Sequence, residues 1–165
     1  MLRHVSPARV IIAAVAAVAV LAAIGWATRQ DPKDKPLLAI LGGGFMFNYR
    51  IAEVFYGFTA QVTKPLETGS VIEARFENPA GGEDLVVRER VSAMTDRYAL
   101  RSPPIRGVEA NRPYRVAVRV LDRTESTELW ATTLNFTSQI SDDVVPDKPL
   151  LIGPGYTKNP DVYGG

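Results

Sequence analysis

Side chains suited to catalysis or metal binding are few in this chain and lie far apart. There is no cysteine, and the single histidine, His4, precedes a long apolar segment. The remainder therefore lacks the base of a Ser–His pair and the ligands of a Cys/His zinc site. Its grouped carboxylates fall in predicted turns or near the C-terminal end: Glu83/Asp84, Glu125/Glu128 and Asp142/Asp143/Asp147. We expect a protein that is not an enzyme and holds neither metal nor cofactor.

Formal charge is nearly balanced, with 19 basic and 18 acidic residues. Nucleic-acid binding usually requires a basic stripe, so we expect no nucleic-acid partner. Arginines are nevertheless concentrated between positions 88 and 123. Because carboxylates are interspersed among them, a solvated strand face is favoured over a patch for an anionic ligand.

A glycine run, Gly42–Gly44, is the one stretch with the composition of a phosphate loop. The lysine that such a loop needs is missing, since Phe45 follows directly. The run predicts a glycine-rich turn or a close contact between backbones.

An uncharged apolar segment, Val10 to Ala27, predicts a transmembrane helix. At ~1.5 Å per residue it would span about 27 Å, close to the ~30 Å hydrocarbon core of a bilayer. Trp26 lies at its end, where an indole suits the membrane interface. A buried core helix would show a polar face, and none is present. A cleaved signal peptide is the remaining alternative, with cleavage after Ala27, but the apolar stretch exceeds the usual length.

The basic residues on the two sides of the segment are nearly equal in number and do not decide its orientation. The short N-terminal tail suggests a signal-anchor that exports the following domain across the inner (cytoplasmic) membrane into the periplasm. Secretion after signal cleavage is the alternative localisation. Small residues four apart, Ala13 and Ala17, are candidates for contact with another membrane helix.

The chain divides into five predicted segments. These are an N-terminal tail (1–9), the transmembrane helix (10–27), a polar linker (28–36), a β-sandwich domain (37–140) and an extended Pro/Gly-rich tail (141–165). Alternating apolar positions define the strands of a mainly β domain, most clearly in a hairpin that turns at Asp122 to Thr127. On its first strand Tyr114 and Val116 would face the core, while Arg115 and Arg119 would face water.

The stretch "EANRPYRVAVRVLD" resembles the penultimate strand of immunoglobulin and fibronectin type III-like domains. In that family a tyrosine near the start of this strand bonds back to the upstream backbone. The resemblance implies an immunoglobulin-like β-sandwich with Tyr114 in that role and Trp130 as a structural residue of the last strand. Such domains mostly bind, space or scaffold, which is an analogy at the level of the fold.

The Pro/Gly-rich tail keeps apolar side chains that a purely solvated segment would have little reason to carry. Its candidate partner-contact residues are Leu150, Leu151, Ile152, Tyr156 and Tyr163. We expect an irregular tail without a helix. It is either a flexible terminus or, if its apolar side chains are used, a segment that wraps its own domain or lies in a partner's groove.

The function expected from the sequence is a non-catalytic, membrane-anchored accessory or scaffold subunit of a membrane or envelope complex. The alternative is an anchored or secreted module that binds glycan or lipid headgroup. Exposed aromatics clustered at one end of the domain, such as Tyr56, Tyr98 or Tyr156, would favour that alternative.

Overall fold

The computed structural model describes residues 7–27 and 36–164. The chain forms two units, Met1–Lys35 and Pro36–Gly165. The predicted tail at positions 1–6, His4 and most of the linker lie outside the described residues. The helices and main strands are α1 (Pro7–Ala27), β1 (Leu38–Asn48), β2 (Glu53–Val62), β3 (Val71–Phe76), β4 (Leu85–Arg90), β5 (Arg97–Arg101), β6 (Pro113–Leu121) and β7 (Glu128–Thr137); β8 (Leu151–Ile152), β9 (Thr157–Lys158) and α2 (Pro160–Tyr163) follow.

Helix α1 contains 21 residues and begins three residues before the predicted start at Val10. Proline suits this first position because its missing N–H would have no partner in the first turn. The window Val10–Ala27 has a mean hydropathy of 2.6, and none of it is buried. An N-terminal apolar helix of this length and composition is consistent with a membrane anchor or a signal sequence.

The domain that follows is mainly β, as the alternating sequence predicts. One sheet has the strand order β1-β2-β5 and the other β4-β3-β6-β7, with β8 and β9 forming a separate small hairpin. The pairings between these strands are antiparallel. The β6–β7 hairpin turns where expected, because β6 ends at Leu121 and β7 begins at Glu128.

The two large sheets bury one core between them. On β3, Ile72, Ala74 and Phe76 are fully buried, because their period-two spacing places them on the same face of the strand. The centre of the core is aromatic. The ring of Tyr56 stacks on Phe45 with centroids 4.7 Å apart and meets Phe76 edge-on at 5.1 Å. Both geometries are favourable for aromatic pairs, so side chains from both sheets interlock at this point.

The glycine run lies inside strand β1, so the predicted turn is wrong and the alternative of a close backbone contact is confirmed. A Cβ atom on Gly43 would stand 2.5 Å from the carbonyl oxygen of Gly57 and 2.7 Å from the ring of Phe136. Glycine is therefore required at position 43 for steric reasons. At Gly44, by contrast, an added Cβ would meet nothing within 4 Å.

The C-terminal tail is more regular than expected. The expectation that it would contain no helix is wrong over Pro160–Tyr163. Proline occupies the first turn, where its fixed φ suits a helix, and the Asn159 side chain caps that turn by accepting from the N–H of Asp161.

The two neighbouring glycines give a matched stability test of the domain. Gly43→Ala should lower the free energy of unfolding by about 1–3 kcal/mol, because the new methyl group overlaps Gly57 and Phe136. Gly44→Ala should lower it by less than about 0.5 kcal/mol, because the site is open. Urea unfolding of the detergent-solubilised full chain, followed by circular dichroism, measures both. Equal effects of the two substitutions would contradict the steric explanation.

Candidate functional site

The predicted structural residues lie at defined places in the domain. Tyr114, at the start of β6, is fully buried, and its hydroxyl oxygen accepts from the N–H of Glu109 at 2.7 Å. The same hydroxyl group donates to the carbonyl of Gly107 at 3.4 Å. Tyr114 thus ties β6 to the loop before it. Trp130, on β7, is half-buried against the core.

The aromatic cluster that would favour glycan binding does not form. Tyr56 is fully buried and its hydroxyl group donates to the carbonyl of Glu77 at 2.6 Å. Tyr98 is also buried, with its hydroxyl group bonded to the 92–95 loop. Of the three tyrosines, only Tyr156 is exposed. These three tyrosines therefore do not form the exposed cluster that would favour a module for glycan or lipid headgroup.

The tail continues as a segment packed on the domain. Asp142 accepts from the backbone N–H of Gly107 at 2.8 Å. Val145 is buried, and the guanidinium group of Arg106 donates to the carbonyls of Ala52 and Pro146, both at 2.9 Å. The first part of the tail therefore wraps its own domain, which was one of the predicted alternatives.

Beyond it, residues 150–164 form a compact unit, here called the C-terminal hairpin unit. Asn159 lies at its centre, only 6% exposed. Its side-chain nitrogen donates to the carbonyl of Pro149 at 2.8 Å, and its backbone N–H donates to the carbonyl of Leu150 at 3.0 Å. The N–H of Leu151 donates to the carbonyl of Arg50 at 3.0 Å, which attaches the unit to the β1–β2 turn.

The C-terminal hairpin unit turns its large apolar side chains outward. Leu150 and Leu151 are half-buried, whereas Ile152, Tyr156 and Tyr163 are 40%, 63% and 52% exposed. Tyr156 follows the hairpin tip with a positive φ of 50°, a conformation that non-glycine residues seldom adopt. The exposed side chains of Ile152, Tyr156 and Tyr163 thus stand on a backbone held by defined hydrogen bonds.

A second feature, on the outer face of the four-stranded sheet, was missed by the sequence analysis. Glu73 alternates with core residues, a pattern that predicts a side chain in water, yet it is fully buried. Its oxygen Oε1 accepts from Nε of Arg75 at 2.8 Å and from Nε of Arg119 at 2.7 Å. Oxygen Oε2 accepts from Nε of Arg88, also at 2.8 Å. We call Glu73, Arg75, Arg88 and Arg119 the carboxylate–arginine network.

Only the strand register brings this network together. Glu73 pairs with Arg88 on β4 and with Arg119 on β6, so both arginines flank it on the same sheet face. Arg119, expected in water, has a side chain only 33% exposed. An acidic residue among arginines on adjacent predicted strands is the signal that would have revealed the network.

The network changes the acidity of its central carboxyl group. Burial alone would raise the pKa of Glu73, but hydrogen bonds from Arg119, Arg75 and Arg88 outweigh it and lower the pKa from 4.5 to about 2. Glu73 is therefore a permanent anion at neutral pH.

The outer face of the three-stranded sheet carries a shallow apolar concavity of ≈ 430 Å³. Gly44, Gly57 and Ala99 leave its floor without large side chains, while Met46 and Phe55 line it. Within residues 7–27 and 36–164, no group of three or more His, Cys, Asp or Glu side chains is placed to hold a metal ion.

Comparison with known proteins gives only distant structural likenesses. No protein-family model and no curated protein matches the chain. Among solved structures, a calcium-binding mutant of β-glucuronidase 2 from Bacteroides uniformis aligns over 62% of this chain and 13% of its own, with 15% identity and a TM-score of 0.37. Wild-type OgpA from Akkermansia muciniphila aligns over 67% of this chain and 30% of its own, with 10% identity and a TM-score of 0.35. Likenesses this distant say nothing about activity.

Removal of one hydroxyl group tests the role of Tyr114. Tyr114→Phe should lower the free energy of unfolding by about 0.5–1.5 kcal/mol, because the N–H of Glu109 loses the hydroxyl acceptor of Tyr114. Tyr163→Phe, at an exposed position, is the matched control and should have no measurable effect. Urea unfolding of the full chain in detergent compares them, and equal stabilities of the wild type and Tyr114→Phe would contradict this role.

Stability against acid should depend on Glu73. Because its folded-state pKa of about 2 lies below the 4.5 of an unfolded glutamate, its contribution is complete above pH 4.5 and is lost as pH falls toward 2. That contribution is about 3 kcal/mol. Glu73→Gln should therefore be destabilised at neutral pH, and its difference from the wild type should shrink on acidification.

Urea midpoints measured across this pH range provide the check. Glu125→Gln is the matched control, since Glu125 pairs with Arg88 and Arg90 but keeps a 30% exposed side chain. Exposed pairs contribute about 0–1 kcal/mol, so this variant should stay near the wild type. A Glu73→Gln deficit that does not change with pH would contradict the assignment.

Proposed function

We propose that the chain is a non-catalytic, single-pass membrane protein that acts as an accessory subunit of a membrane complex. Its C-terminal hairpin unit docks into an apolar groove on a protein partner. The observation that carries this proposal is the outward display of Ile152, Tyr156 and Tyr163 on a backbone fixed by buried Asn159. Tyrosines with one apolar face and one polar end are enriched where proteins meet.

Helix α1 supports the membrane part of the proposal. Its length of 21 residues corresponds to about 32 Å of helix, enough to cross the hydrocarbon core. The side chains of Ala13 and Ala17 are exposed one turn apart, which would let a second membrane helix approach closely. In this arrangement the span holds the subunit in the inner membrane, and the domain lies on the periplasmic side.

At the level of the fold, we propose a fibronectin type III-like domain. Support comes from the antiparallel strands β1 to β7, which divide into sheets of three and four. It also comes from the bonds that Tyr114, in the penultimate of these strands, makes to the backbone of Gly107 and Glu109. Domains of this architecture commonly present loops and termini to partners, in agreement with the proposed role of residues 150–164.

Co-purification from mild detergent tests the docking surface. We expect specific companions to be recovered with the wild type and to fall at least about tenfold with the double variant Tyr156→Ser/Tyr163→Ser, since two apolar anchors are lost. The matched control is Met94→Ser, which removes a side chain 93% exposed in another loop. Companions retained by the double variant, or lost equally from the control, would contradict the proposal.

The intact mass of the same purified sample shows whether α1 is retained or removed by signal cleavage. A retained anchor leaves the apolar helix in the purified chain, whereas signal cleavage after Ala27 would make Thr28 the first residue. Recovery of only the shorter form would contradict membrane anchoring by α1. The test of residues 150–164 would remain valid in that case, so the two parts of the proposal fail separately.

A further inference from the structure

Two arginines of the carboxylate–arginine network have hydrogen-bond donors beyond those that Glu73 accepts. Glu73 receives the Nε donors of Arg75 and Arg119 at 2.8 and 2.7 Å, and both reach the same oxygen atom. Each guanidinium group carries further N–H donors on its terminal Nη atoms. Because both Nε atoms touch one oxygen, the two guanidinium groups lie within two hydrogen-bond lengths of each other.

The local charge balance is positive. Glu73 supplies one negative charge to three arginines, which leaves a net formal charge of +2 in the network. Arg88 also reaches Glu125 at 3.5 Å, so part of its charge is compensated. Among the described residues, Arg75 and Arg119 form ion pairs with Glu73 alone, so most of the excess positive charge lies on these two side chains, which are 43% and 33% exposed.

A concavity of ≈ 310 Å³ lies beside these two guanidinium groups. Small side chains, Ala117 and Ala131, leave room at its floor, and Thr133 adds a hydroxyl donor to the lining. Strand register aligns Arg75, Ala117 and Thr133 in one row across the sheet face. The fold thus places two guanidinium groups and a hydroxyl group around a concavity large enough for a small ligand.

We propose that this concavity binds a phosphate group through the Nη donors of Arg75 and Arg119 and the hydroxyl group of Thr133. Guanidinium groups bind phosphate through paired, charge-assisted hydrogen bonds, and a tetrahedral anion has enough oxygens for donors from two sides. Glu73 acts as the positioning residue because it holds both arginines in place. The phosphate belongs either to a free small ion or to a glycerophosphate headgroup.

Glu128 lines the same concavity and opposes the bound charge. It also lies near Arg119, whose pKa is raised first by the hydrogen bond to Glu73 and further by the charges of Glu73 and Glu128. Removing the Glu128 charge should therefore strengthen phosphate binding. An exposed glutamate of this kind can be replaced without touching the carboxylate–arginine network.

Isothermal titration of the full chain in detergent, with inorganic phosphate and separately with glycerol 3-phosphate, tests the site. Glu128→Gln should tighten binding about fivefold, since it removes one like charge at short range. Ala131→Glu should weaken binding at least about tenfold by placing a carboxylate on the floor, and Arg75→Gln should have a similar effect. Arg123→Gln, at a 65% exposed arginine paired with Glu67, is the control and should leave binding unchanged.

The two ligands distinguish the source of the phosphate. Equal affinities indicate a site for the free ion, and tighter binding of glycerol 3-phosphate indicates a headgroup site; both support the proposal. Absence of binding by either ligand would overturn it, and so would binding that Glu128→Gln and Ala131→Glu leave unchanged. These two variants keep every arginine of the network, so the test does not depend on the folding of Arg75→Gln.

Discussion

Close backbone approaches at two glycines, from β1 to β2 at Gly43 and from β2 to β5 at Gly57, constrain how the domain packs. Gly43 leaves room for the ring of Phe136, and Gly57 lies where a Cβ would stand 2.4 Å from the carbonyl oxygen of Leu100. The space at Gly43 admits the ring of Phe136, whose centroid lies 6.5 Å from that of Tyr56 in the aromatic centre of the core. Because protein interiors are close-packed, an added methyl group at either glycine must displace a backbone or a ring.

The two faces of the four-stranded sheet are stabilised by different interactions. Its inner face is apolar and stabilised by burial, with Ile72 and Val118 nearly inaccessible. On its outer face a charged group, Glu73, is equally inaccessible. A buried carboxylate is tolerated only when its lone pairs are satisfied, and here the guanidinium groups of three arginines serve both oxygens. The same strand therefore carries an apolar and an ionic centre on opposite sides.

The sequence predicts the positions and core faces of the strands well, but it predicts the contacts between side chains on the outer faces poorly. Period-two alternation correctly identified the core face of β3 and β6, because each side of a strand is determined locally. The environment of Glu73 depends on Arg88 and Arg119, which are 15 and 46 residues away, and only the register aligns them. Likewise, the glycine run around Gly43 is typical of a turn in the sequence, and only the close contact with the neighbouring strand explains why it lies inside β1. The helix after Asn159 escaped prediction because four residues give no periodic signal.

The three arginine hydrogen bonds to Glu73 also limit which substitutions this sequence can accept. Loss of the carboxylate alone would remove the counter-ion that Arg75 and Arg119 share, and loss of an arginine alone would leave a lone pair of a buried anion without its donor. Single substitutions at these positions are therefore disfavoured, whereas a joint exchange to apolar residues is not. In descendants of this sequence, the four positions are expected to change together or remain fixed together.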